Sequence, residues 1–199
     1  MRLPFHGTNN KVIRKSIEIL SDAGLIIYPT DTVYALGCAS LNRSALEKLA
    51  MIKHAKKTKP PVSLVCSSIA QAAAYTGQMD QATFRMLKSY LPGPFTFILP
   101  VTQKLPRAFG KRNSIGIRIP NHKGICALIE ALDQPLASAS LHHADEIRDY
   151  TTDPDEIEQE WGAVVDLFID GGFGGNQPST IVDVTGSSPH IVRQGVGVF

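Results

Sequence analysis

Between Lys53 and Lys59 the chain reads Lys-His-Ala-Lys-Lys-Thr-Lys, four lysines in seven residues, followed by Pro60-Pro61. Ammonium groups at that density could neutralise a triphosphate. On charge grounds alone the run equally fits an exposed basic loop. The pattern G-x-x-x-x-G-K-[ST] is absent, so the phosphate-cradling loop of that type is excluded. Tyr28-Pro29-Thr30-Asp31-Thr32 places three short oxygen-bearing side chains after an apolar run, at a strand end, where open α/β sheets hold their ligands. An ordinary turn, with Thr and Asp bonded to their own backbone, fits the same residues. Arg118 stands mid-strand in apolar surroundings and needs an anionic partner there. That partner could be the carboxylate of a bound amino acid or an internal acid.

Ser138 and Ser140 fall on one side of an extended segment, with His142 continuing the alternation. They could offer hydroxyl and imidazole contacts to phosphate or ribose. Arg193, late in a strand, could contact phosphate or serve as a surface charge. Nothing places a base beside either serine, so no Ser-His-Asp arrangement can be argued. His142-His143 is the only histidine pair and no third ligand can be named, so no metal site is expected. Gly171-Gly172-Phe173-Gly174-Gly175 lacks the strand–glycine–helix context of a dinucleotide site and reads as a flexible turn.

The elements that must position these residues follow from periodicity. Helices are expected over Lys11–Ala23 with Gly24 as a stop, Arg43–Ala55 capped by Asn42, Ile69–Tyr75, Gln81–Leu91, Lys123–Leu132, and from Pro154 to about Trp161. Strands are expected at Leu25–Tyr28, Val33–Leu36, Val62–Cys66, Phe95–Leu99, Ile115–Ile119, Leu136–Ser140, Val164–Ile169, Thr180–Val184 and His190–Arg193. Thr102 to Asn113 reads as a basic loop. Strands and helices interleave without a linker or repeat, which predicts one α/β domain over residues 1–199 with a mixed, twisted sheet.

The 199 residues are 43% hydrophobic, which supports a packed core. Met1 to Lys15 has no apolar stretch typical of a secretory signal, and no apolar run is long enough to span a bilayer, so no membrane association is expected. Cys38, Cys66 and Cys126 lack C-x-x-C spacing, which fits a reducing cytoplasm. Asp145 to Glu160 carries eight acids and one arginine, a local net of −7, so the remainder carries +9 against the overall +2. A basic remainder suits a nucleotide or RNA partner.

Taken together the motifs resemble the YrdC-like family, the L-threonylcarbamoyladenylate synthases that begin t6A modification of tRNA. The matching pieces are Pro29 to Gly37, Lys53 with Lys59-Pro60, Leu91 to Thr96, Gly116 to Pro120, Pro135 to Ser140, Ser179 to Asp183 and Val192 to Gly195. They stand in family order over nearly the whole chain. The resemblance implies a twisted mixed sheet flanked by helices around a large basic concave cleft. It implies L-threonine, bicarbonate and ATP, with Mg2+, as substrates and no tightly bound cofactor. Lys53 and Lys59 would hold ATP phosphates; Ser138, Ser140, His142 and Arg193 would complete the nucleotide pocket; Thr30, Thr32 and Arg118 would position threonine. Two departures bring the chain nearer the YciO-type members: Ala55 stands where the synthases carry Lys-x-Arg, and Ser140-Leu141-His142 where they carry Ser-x-Asn. A YciO-type protein that binds nucleotide or double-stranded RNA with little or no synthase activity is the alternative, and tRNA or double-stranded RNA is a candidate partner in either case. Lys56 or Lys57 could replace the missing charge. With the sequence ending at Phe199, the extra domain of longer relatives is not expected.

Overall fold

A computed structural model describes residues 1–53, 62–77, 79–101, 105, 109–141 and 151–199. In chain order the elements are β1 (Arg2–Pro4), α1 (Asn10–Ser21), β2 (Ile26–Tyr28), β3 (Ala35–Ala39), α2 (Arg43–Ile52), β4 (Ser63–Val65), α3 (Ile69–Thr76) and α4 (Gln81–Tyr90). Then come β5 (Phe95–Pro100), β6 (Ser114–Arg118), α5 (Lys123–Leu132), β7 (Leu136–Ser140), α6 (Pro154–Trp161), β8 (Leu167–Asp170), β9 (Thr180–Asp183) and β10 (His190–Arg193). The strands form one sheet in the order β1-β8-β2-β3-β7-β4-β6-β5-β9-β10. It is mixed: β2, β3, β7 and β4 run antiparallel in sequence, whereas β4–β6 and β5–β9 are parallel. None of the described helices is long and apolar enough to cross a membrane.

Helix starts follow side-chain chemistry. Asn42 Oδ1 accepts from the Ala45 amide at 3.1 Å and caps α2, and Asp153 accepts from the Asp155 amide at 2.8 Å ahead of Pro154. The stop after α1 differs from expectation. Ala23 takes the left-handed conformation (φ 58°), and the Gly24 amide donates to Ile19 O at 2.8 Å. Gly24 is needed because its chain presses against the Ile19 side chain. Helix α2 ends at Ile52, with Lys53 as its C-cap; the expected continuation to Ala55 lies outside the described residues. Half of the basic loop expected over Thr102–Asn113 also lies outside them.

Strand alternation divides the side chains between two layers. Leu36, Cys38, Leu64, Phe97, Ile117 and Ala137 join a core completed by α2, α3, α4 and α6 through Leu49, Ala72, Leu87 and Ile157. Ile26, Tyr28, Ala35, Val65 and Leu136 face the other way, against Val12 and Leu20 of α1 and Ile125 and Leu128 of α5. Each such buried aliphatic contributes about 1.5–3 kcal/mol over exposure. This second face matters for function, because α1 and α5 cover only part of it.

Candidate functional site

The uncovered part of that face is floored by small residues. Gly37 pairs with Ser138, and Ser138 pairs with Ser63. A Cβ added at Gly116 would lie 2.5 Å from Ser63 Oγ and 3.1 Å from Thr96 Cγ2. Gly37, Ser138, Ser63 and Gly116 thus line up across neighbouring strands with almost no side-chain volume. Above them is a cavity of about 550 Å³, within the usual range for small-molecule sites. Tyr28 leans across Gly37, and its hydroxyl donates to Ser138 Oγ at 2.6 Å. Burial pushes the Tyr28 phenol up to about 12, so it stays a donor at neutral pH.

Lys53, Arg118 and Arg193 all line this cavity, together with Thr30, Ser138 and Ser140. They arrive from the end of α2, β6, β10, the β2–β3 turn and β7. Lys59 and His142 lie outside the described residues, as do Ala55, Lys56 and Lys57. Thr32 is buried behind the wall, 4% exposed. Tyr28, Ser63, Thr96, Arg112 and Ser179 line the cavity too, and sequence reasoning assigned none of them. Thr96 and Ser179, whose hydroxyls lie 2.8 Å apart, stand inside motifs that carried the resemblance, so a signal for them existed. Arg112 was one charge in a basic loop and had none.

The polar triplet is both a turn and a socket. Thr30 Oγ1 donates to Val33 O at 2.7 Å and accepts from the Thr32 amide at 3.1 Å. Arg118 reaches in from β6, and its Nη2 donates to Asp31 Oδ1 (2.6 Å), Thr32 Oγ1 (2.7 Å) and Thr30 Oγ1 (3.1 Å). The internal acid left open by the sequence is therefore Asp31. The pairing is one-ended: among the described residues, buried Arg118 Nε and buried Asp31 Oδ2 have no partner. A guanidinium can hold a carboxylate by two parallel bonds, and only one is made here.

Lys53 Nζ donates to Ser140 O at 3.0 Å and lies 5.7 Å from the centre of the Trp161 ring. Burial lowers its pKa, and Glu160 partly opposes this. Arg193 Nη2 donates to Ser179 O at 2.8 Å, and its buried Nε has no partner among the described residues. The Gly171–Gly175 segment, expected to be a flexible turn, is pinned to the same loop. Tyr34 Oη accepts from the Gly171 amide (3.0 Å) and donates to Gly172 O (2.6 Å), and the Gly175 amide donates to Thr32 O (2.7 Å).

A family model for Sua5, YciO and YrdC, described as "Telomere recombination", matches residues 18–195. The chain belongs to the Sua5/YciO/YrdC family. An uncharacterized Haemophilus influenzae protein is 38% identical over 189 residues, covering 94% of this chain and 90% of that one. The uncharacterized protein YciO of Escherichia coli K12 is 37% identical over 190 residues with the same coverage. Its crystal structure aligns with a TM-score of 0.89 over 100% of this chain and 97% of that one, at 35% identity. P. abyssi Sua5 in complex with L-threonine aligns with a TM-score of 0.85 at 24% identity, over 98% of this chain but 57% of that one; this likeness is one of fold. A mixed sheet with helices is thus shared across the family, as the motifs implied.

Proposed function

We propose that the cavity binds ATP, as its magnesium complex, beside L-threonine, and that the chain joins threonine, bicarbonate and ATP into threonylcarbamoyl-AMP and pyrophosphate for t6A modification of tRNA. The observation that carries this reading is the convergence of Lys53, Arg112, Arg118 and Arg193 on one hollow whose described lining contains no acid. Asp31 offsets part of the Arg118 charge, and a multiply charged anion held among the four would relieve the repulsion that remains. The hydroxyls of Ser63, Thr96, Ser138, Ser140 and Ser179 supply neutral contacts of the kind phosphate and ribose oxygens use.

In this reading Thr30 and Arg118 receive the amino acid, buried Thr32 holds the guanidinium from behind, and the unused side of the Arg118 fork takes the ligand carboxylate. The threonine complex of the similarly folded P. abyssi protein supports a small amino acid as ligand. The amine adds to bicarbonate with loss of water, giving a carbamate. A carbamate oxygen attacks the α-phosphorus, the bond to the β-phosphate oxygen breaks, and pyrophosphate leaves. Lys53 and Arg193, with Lys59 from the adjoining basic run, offset charge on the leaving group. Positioning and charge suffice, so no covalent nucleophile is required.

Purified protein incubated with labelled bicarbonate, threonine, ATP and Mg2+ is expected to yield labelled adenylate and pyrophosphate in step. Absence of both products would overturn the reading. A second reading rests on Ala55 and Ser140-Leu141-His142, where the sequence leaves the synthase pattern. It is a protein that binds nucleotide or double-stranded RNA without turnover. Tight, salt-dependent RNA binding by protein that makes no adenylate would favour it.

A further inference from the structure

We propose that Arg112 is a ligand-binding residue of the cavity that grips the polyphosphate tail and makes the site select on phosphate number. The inference rests on the reading above only in taking a nucleoside polyphosphate as the ligand.

The argument starts from position. Arg118 closes β6 at its C-terminal end, beside the Thr30–Thr32 socket, whereas Arg112 lies two residues before β6 begins. The four steps from Ser114 to Arg118 cover roughly 13 Å, so the two guanidinium-bearing positions stand at opposite ends of β6, and both line the cavity. A small amino acid held at Arg118 cannot span that length. The Arg112 end therefore serves the longer ligand.

Its setting is that of a prepared binding group. Arg112 Nε donates to Phe109 O at 2.9 Å, and its Cζ lies 5.7 Å from the centre of the Phe109 ring. Phe109 is fully buried, so it gives the guanidinium a fixed anchor. With Nε and one π face engaged, the plane of the fork is set before any ligand arrives, and little side-chain entropy remains to be lost on binding. Arg112 is itself half-buried, and burial lowers its pKa. A guanidinium that has given up part of its hydration beside three further cations is poised for an anion with several oxygens. A planar fork meets two phosphate oxygens at once, which a monophosphate held elsewhere in the cavity does not offer.

The test is calorimetric titration of inorganic triphosphate, ATP, AMP and L-threonine into the full chain and into Arg112→Gln and Arg112→Lys. Arg112→Gln is expected to lose about tenfold or more in affinity for triphosphate and ATP, the loss of one charge-assisted contact. AMP and threonine affinities are expected to stay unchanged, and Arg112→Lys to recover part of the triphosphate affinity. Triphosphate binding by Arg112→Gln equal to that of the unaltered chain would overturn this inference and leave the proposed function standing. Equal losses for threonine and triphosphate would overturn it too, since the residue would then be structural. If the unaltered chain binds neither triphosphate nor ATP, both proposals fail. Should Arg112→Gln melt at low temperature, Arg112→Lys carries the comparison: it keeps the charge without the fork, and an unchanged ATP to AMP preference would refute the selection.

Discussion

Removing the Arg118 guanidinium should do two separable things. In Arg118→Met the side chain keeps most of its volume, but Asp31 loses the Nη2 contact at 2.6 Å while its carboxylate stays inside, 11% exposed. An uncompensated buried charge of this kind costs about 3–5 kcal/mol. In a chain of 199 residues that corresponds to a fall of roughly 6–20 °C in melting temperature. Asp31→Asn should cost less, because Arg118 keeps two hydroxyl acceptors and lines the cavity. The double variant should lose less than the sum of the two, since neither uncompensated charge remains. Urea unfolding of the four proteins at neutral pH gives the coupling directly. A loss below about 1 kcal/mol for Arg118→Met, the range of exposed pairs, would mean the pair is not held in a desolvated setting. Strict additivity would mean Asp31 and Arg118 do not act on one another. The second effect is on ligand. Threonine binding should vanish in Arg118→Met and in the double variant alike, even where the double restores stability. Recovery of threonine affinity with stability would show that the residue only supports the fold.

The Lys53 prediction concerns pH. Burial lowers the Lys53 pKa, so the unfolded chain binds its proton more strongly than the folded one. Stability of the unaltered chain relative to Lys53→Met should then rise with pH between the lowered folded-state pKa and the ordinary lysine value of about 10.4, as the penalty for the buried charge is lifted. Urea midpoints across that window check it, and a flat or falling difference would contradict the cause assigned. Tyr34→Phe removes the hydroxyl that joins the Gly171 amide and Gly172 O, and should cost about 1–3 kcal/mol. Amide exchange at Gly171 should accelerate in that variant; unchanged protection would mean the glycine segment is held by something other than Tyr34.

Much of the scaffold was readable because its signals are local. Lys123–Leu132, Leu136–Ser140 and His190–Arg193 match the expected bounds, each set by a periodic run between strong stops. Strand β1 went unread. Its three residues, Arg2-Leu3-Pro4, have no periodicity to detect; they are held by parallel pairing to β8 and by Arg2 contacts to Asp155, Glu158 and Asp170. The glycine segment was misjudged for a related reason. Its composition favours flexibility, but Tyr34 lies more than a hundred residues away and its phenol is invisible to local reading. Within the site, alternation put Ser138 and Ser140 on one face. That Lys53, Arg118 and Arg193 share a hollow with them depends on strand order, which brings β7, β4 and β6 side by side although their residues lie far apart in the chain.

The place of the hollow follows from where the two apolar layers stop. Along β2, β3 and β8 the second face is apolar and α1 and α5 cover it, as Ile26, Ala39 and Leu167 require. Toward β4, β6 and β5 the same face turns to Ser63, Gly116 and Thr96, which offer no helix an apolar surface to bury against. A covering helix there would gain little and would leave the hydroxyls and Arg118 to be satisfied. The sheet is therefore left open where its small residues begin, and the long cations close the rim from outside the sheet and from its edges. Local rules are broken together at this spot: a half-used buried guanidinium, a lysine with a lowered pKa, and an arginine whose Nε has no partner among the described residues. Each departure costs stability, and their coincidence in one cavity is what separates a site from scattered imperfection. A multiply charged anion would relieve all three at once, so its binding should raise the melting temperature of the unaltered chain by more than it raises that of any variant lacking one of these cations.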